Sequence, residues 1–130
     1  MKSIPRLVLN EDRFFDPTPA VKTIARKLYH SVAKLPIISP HGHVEPNIFV
    51  ENKPFTNPTD LIIIPDHYIF RMLYSQGIPL ESLGIRPLDG SSAEANAKKI
   101  WKLFGQNYYL FRGTPTGVWL DYEFSVVFGV

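Results

Sequence analysis

Apolar positions recur between residues 19 and 34 at Val21, Ile24, Leu28 and Val32, and continue to Leu35, while Lys22, Arg26, Lys27, His30 and Lys34 largely take the opposite side. Steps of three and four residues align the apolar set on one helical face, so this segment is expected to pack on a core. Asp16-Pro17-Thr18-Pro19 supplies its start, a capping side chain with proline in the first turn. Pro36 stops it, and Ile37-Ile38 reads as a short buried strand running towards His41. Residues 44–58 read as a loop. Asn57-Pro58-Thr59-Asp60 opens a short apolar helix through Leu61-Ile62-Ile63-Ile64, which Pro65 breaks. Asp66 then caps a helix from His67 to about Gln76, with Gly77 as its stop.

Further on, Pro79 to Gly84 reads as one helical turn. Ser91-Ser92 is expected to cap a helix whose inner face carries Ala93, Ala97, Ile100, Trp101 and Phe104. An aromatic stretch, Tyr108-Tyr109-Leu110-Phe111, follows. In the last segment Thr114-Pro115 and Gly129 favour a helix. Asp121, Glu123 and Ser125, however, alternate with Leu120, Tyr122, Phe124 and Val126, as in a strand. Helix is the preferred reading. The aromatic residues Trp101, Phe104, Tyr108, Trp119 and Phe124 are expected in the core.

Composition narrows the class. The 130 residues, 45% hydrophobic and 20% charged, suffice for one ordinary domain. A net charge of +2 from scattered basic residues gives no footprint for nucleic acid. Without cysteine the chain has no disulfide, thiolate nucleophile or Cys-type zinc site. No stretch approaches a membrane helix or a signal peptide, so no membrane is expected and the expected location is cytoplasmic. No linker divides the chain, and it is treated as a single segment, 1–130.

Two places carry candidate chemistry. His41-Gly42-His43 ends the apolar run, and in an extended backbone residues two apart point the same way, so both imidazoles could grip one metal ion. Imidazole suits zinc, copper, iron or nickel. Two ligands fall short of the three that a catalytic zinc usually takes, and Glu45 lies nearby as a weaker third. A pair of solvated imidazoles is the competing reading. The second place is Asp66-His67-Tyr68-Ile69-Phe70-Arg71. Its imidazole, phenol and guanidinium fall within the first turns of a helix, where a carboxylated substrate is favoured and protons could be moved. The competing reading has Tyr68 packed, Arg71 paired with Asp66 or Glu81, and His67 on the surface. His30 reads as solvated.

Three blocks together resemble the N-terminal part of the uronate isomerase (glucuronate isomerase) family of the amidohydrolase superfamily: Pro36 to His43, Asp66 to Leu73 with Gly77, and Gly113-Thr114-Pro115 through Trp119-Leu120 to Phe128-Gly129. The resemblance covers nearly the whole chain. It implies an α/β fold, a metal-dependent (β/α)8 barrel of which this segment is the mostly helical start with a short first strand. The implied reaction is the interconversion of D-glucuronate and D-fructuronate, and of D-galacturonate and D-tagaturonate, through an enediol. His41 and His43 match the family's metal ligands, for one divalent ion, zinc first and manganese or iron as alternatives. His67 and Tyr68 match its proton-transferring pair, and Arg71 is read as a carboxylate partner. The expected partner is a small-molecule uronic acid, with a homo-oligomer left open.

This sequence departs from many relatives at Ser39, where they carry aspartate, and at Gly42, where they carry a larger residue. Its length also departs, since a barrel needs roughly 250 residues. The family's remaining ligand and substrate arginines are therefore expected elsewhere, and the segment is read as a truncated portion, inactive alone. Two other functions remain in play: a non-catalytic helical interaction module and a metal-dependent hydrolase on the same scaffold.

Overall fold

Prolines and capping side chains divide the chain into short helical pieces, and the computed structural model describes residues 6–39, 41–42 and 45–130. In order these are α1 (Pro19–Val32), α2 (Asn47–Glu51), a π-helical turn (Thr59–Ile63), α3 (His67–Ser75), a 3-10 turn (Leu80–Leu83), α4 (Ala97–Gln106), a second 3-10 turn (Tyr108–Phe111), and α5 (Pro115–Tyr122), which runs on into π-helical Glu123–Val127. The chain gathers into two compact units, His43–Trp119 and Met1–Gly42 with Leu120–Val130.

The first of these units holds most of the core. Ile69 and Leu73, four apart on α3, are buried together with Ile62, Ile63, Leu83, Ile100, Phe104 and Phe111. Each such side chain stabilises by roughly 1.5–3 kcal/mol relative to an exposed one. Around Phe104 the rings of Trp101, Tyr108 and Phe111 lie at centroid distances of 5.3, 5.6 and 5.7 Å. Buried Thr59 satisfies its hydroxyl by donating to the Ala97 carbonyl at 2.8 Å, which ties the π-helical turn to the start of α4.

Helix ends follow local side chains closely. The Asp66 carboxylate accepts from the Tyr68 N–H and starts α3, while Gly77 ends it in the left-handed region at φ 86°. α4 starts later than its serine-rich approach predicts. Asn96, not Ser91 or Ser92, is the cap, accepting from the Lys98 and Lys99 N–H groups at 3.1 and 3.2 Å. Glu94 in turn accepts from the Asn96 N–H at 2.9 Å. That hydrogen bond, ahead of the Lys99 side chain, holds the Glu94 carboxyl below its ordinary value. The ambiguous last segment is helical: the Thr114 hydroxyl accepts from the Gly117 N–H at 3.1 Å, and Gly129 closes the segment at φ 70°.

In the second unit the Asn10–Phe15 turn is tied to the polar side of α1 by Asp12, which pairs with Arg26 at 2.5 Å and Lys22 at 3.7 Å. Asp16 accepts from the Thr18 N–H at 2.8 Å just before Pro19, and hydrogen bonding to Thr18 holds its carboxyl below the ordinary value. At the other end Ser125 donates to the Leu7 carbonyl at 2.7 Å, and Val130 accepts from the Leu7 N–H at 3.3 Å.

Besides the α4 cap, four expectations are corrected, the first being the loop over residues 44–58, which contains helix α2. Ile37-Ile38 is not a strand: residues 36–39 are irregular, no strand occurs among the described residues, and the two side chains are 93% and 90% exposed. A strand is defined by pairing with a neighbour, and none of the described segments offers this stretch a ladder. The fold class of the described residues is therefore helical, without the β part of α/β. Nor does the apolar face of α1 lie on a core, since Val21, Ile24, Leu28 and Val32 are exposed. Trp119 is exposed as well, where a core position was expected.

Candidate functional site at the start of helix α3

Pro65 ends the preceding apolar run and Asp66 opens the helix, so His67 and Tyr68 occupy the first two positions of α3. Ile69 and Leu73 anchor the inner face in the core. That anchoring turns the beginning of the helix outwards: His67 is half-buried, and Tyr68 and Arg71 are exposed. The rings of His67 and Tyr68 are in contact, with centroids 4.3 Å apart and planes inclined by 33°. Arg71 lies one helical turn beyond His67 and forms no ion pair with either Asp66 or Glu81. Its side chain is exposed to anions in solvent. An imidazole, a phenol and a guanidinium thus project from a single helix, the first two in ring contact. The set can bind a carboxylate and pass protons to a neighbouring carbon or oxygen.

His41 belongs to the other unit. It is exposed in an irregular segment, and its carbonyl accepts from the Ser39 hydroxyl at 2.8 Å. His43, the second expected ligand, lies outside the described residues. Glu45 is exposed. Among the described residues no three His, Asp or Glu side chains gather in a way that could hold a metal ion. The imidazole donor fits a divalent metal in type, but the described donors do not fit one in number. His30 is exposed, as expected for a solvated side chain.

Sequence spacing did not signal the ring contact between His67 and Tyr68, because adjacent helical residues normally diverge. Only the strong cap immediately before them hinted that the backbone there is closely held. No described helix is long and apolar enough to cross a membrane.

Comparison with known proteins places these features in a family. The family model for glucuronate isomerase matches residues 12–130. A uronate isomerase from Brucella canis is 53% identical over 124 residues, covering 95% of this chain and 27% of that protein. One from Rhizobium meliloti is 49% identical over 125 residues, covering 96% of this chain and 27% of its own length. The crystal structure of glucuronate isomerase from Caulobacter crescentus superposes with a TM-score of 0.87 at 49% identity, over 97% of this chain and 26% of that one. The chain thus spans about a quarter of the length of the curated relatives it matches. On the match to residues 12–130 and on these identities, the chain belongs to the glucuronate isomerase family.

Proposed function

We propose that this chain is the N-terminal portion of a uronate isomerase built on a (β/α)8 barrel, interconverting D-glucuronate and D-fructuronate, with D-galacturonate and D-tagaturonate as the parallel pair. The observation that carries the reading is the superposition of 97% of the chain on a glucuronate isomerase at 49% identity. In the completed barrel, residues 37–38 would acquire the neighbouring strands that the described residues lack.

The reaction breaks a C–H bond at C2 of the aldose and forms one at C1. A proton also leaves the C2 hydroxyl, and another joins the C1 oxygen. A group that accepts and returns a proton must therefore stand beside a group that can hydrogen-bond the oxygens. His67 and Tyr68 are such a pair. Arg71, one turn along the same helix, suits the substrate carboxylate, since a guanidinium binds that group through two parallel hydrogen bonds. Holding the carboxylate and the reacting carbons from one helix fixes the distance between them and lowers the entropic cost of the transfer.

His41 and His43 would supply two ligands to one divalent metal, zinc first and manganese or iron as alternatives. When bound, such an ion polarises the substrate's carbonyl and hydroxyl oxygens. Two imidazoles are fewer than a catalytic site uses, so the 130-residue chain should bind zinc weakly and turn over no glucuronate. Calorimetric titration with zinc, repeated on His41→Ala, tests the assignment. Heat of binding that disappears in the variant is expected, and identical titrations would exclude His41 as a ligand. Conversion of glucuronate by the purified chain would show that the site is complete without further ligands.

A further inference from the structure

Successive helical residues project about 100° apart around the axis, so neighbours in sequence do not ordinarily touch through their side chains. His67 and Tyr68 nevertheless bring their rings to 4.3 Å. They do so where the backbone changes from extended to helical, Asp66 standing at φ −93° and ψ 103°. Asp66 acts on the following residues twice. Its carboxylate accepts from the Tyr68 N–H at 2.8 Å, and its carbonyl accepts from the Ile69 and Phe70 N–H groups at 3.0 and 3.2 Å. Buried Ile69 immediately beyond fixes the helix from its other side. The peptide that carries Tyr68 is thus held between a carboxylate and the core.

We infer that Asp66 is a positioning residue for the isomerisation: its carboxylate holds the Tyr68 backbone so that the phenol ring stays in tilted contact with the His67 imidazole, and the two groups meet the substrate as one unit. The inference rests on the reading that these two rings act on a uronate. Asp66 reaches the pair through the Tyr68 N–H, from which its carboxylate accepts. Its effect is transmitted through one backbone hydrogen bond, so it should depend on the side chain's ability to accept and not on its charge.

Proton NMR of the 130-residue chain tests this. The Tyr68 ring displaces the resonances of the His67 ring protons, and Tyr68→Leu gives the undisplaced position. Asp66→Asn retains a strong capping acceptor, whereas Asp66→Gly lacks one yet costs only a few tenths of a kcal/mol at such a position. The Ile69 and Leu73 methyl resonances report whether the core survives. Asp66→Asn should keep most of the displacement. Asp66→Gly should lose most of it with the methyl signals unchanged. Full displacement in Asp66→Gly, or its loss in Asp66→Asn, would overturn the inference. If Asp66→Gly does not fold, Asp66→Ser decides, with retention expected and loss contrary. Glucuronate turnover by the full-length protein that carries this segment distinguishes the uronate reading from the positioning role. His67→Ala that leaves turnover unchanged there, while the ring resonances still respond to Asp66 substitution, would defeat the uronate reading and leave the positioning role intact.

Discussion

A Cβ at position 117 would stand 2.2 Å from the carbonyl oxygen of Phe111 and 3.0 Å from its carbonyl carbon. Both obstacles are backbone, so neither can rotate away, and the start of α5 or the Tyr108–Phe111 turn would have to move. Gly117→Ala should therefore destabilise the chain by about 1–3 kcal/mol, the usual cost of overfilling a packed site. Gly105 is the natural control. It lies inside α4 with open space around its Cβ position, so Gly105→Ala should stabilise by up to ~1 kcal/mol through helix propensity. Urea unfolding of the two variants checks the opposite signs. No sequence pattern distinguishes these glycines, because the difference lies in a backbone brought close by folding. Asp66 is the contrary case. Aspartate before a helical run after proline is a local signal, and it was legible because a cap needs only residues two and three positions away.

Among the elements, α1 shows where periodicity stops being informative. Its spacing gives a helix over about residues 19–34 and the observed helix runs from Pro19 to Val32, with a real apolar stripe, yet Leu28 is 65% exposed and Ile24 61%. A stripe states which face can be buried; the partner has to come from somewhere else. In this chain Leu28→Lys should change stability by no more than about 0.5 kcal/mol, the range of ordinary surface substitutions. A loss of 2 kcal/mol or more in a thermal melt would mean that the face is covered. The Ile37-Ile38 stretch fails for a related reason, since a strand is a property of two segments and its sequence describes only one. The start of α4 was misplaced because serine and asparagine are comparable caps. The choice of Asn96 depends on Ile100 and Phe104 reaching the core, which fixes the register. Of the candidate site, the His67, Tyr68 and Arg71 grouping was legible from spacing along a single helix. The expected metal pair, His41 and His43, was legible only as a motif, and the described residues bring no further donors to His41.

For the whole molecule, acid sensitivity follows from carboxylates held in their charged form by nearby hydrogen bonds, from the Thr18 side chain to Asp16 and from backbone N–H groups to Asp89 and Glu94. Asp16, Asp89 and Glu94 all have pKa values lowered in the fold, by Thr18, Ser91 and Asn96 respectively. A lowered folded-state pKa contributes stability above the unfolded value, and that contribution is lost as pH falls through the folded value. The loss should therefore begin near pH ~4 and continue below it. Glu94→Gln keeps an acceptor for the Asn96 N–H but removes the titration. Its urea midpoint should fall less steeply with acid over that window than the native midpoint, and parallel curves would refute the assignment.

The pairing of Leu7 with Ser125 and Val130 has a consequence for the order of events during synthesis. Residues 43–119 are continuous, so their core can assemble as soon as that stretch has left the ribosome, while the segments that flank it must wait for each other. More than a hundred residues separate Leu7 from Ser125, and closing a loop of that length is slow compared with forming local helical contacts. The apolar stripe of α1 is translated early and stays exposed throughout that interval. Nascent chains exposing residues up to 119 should thus show a protease-resistant core over residues 43–119 while the segment around Leu7 is still cleaved, and emergence of residues 120–130 should protect that segment.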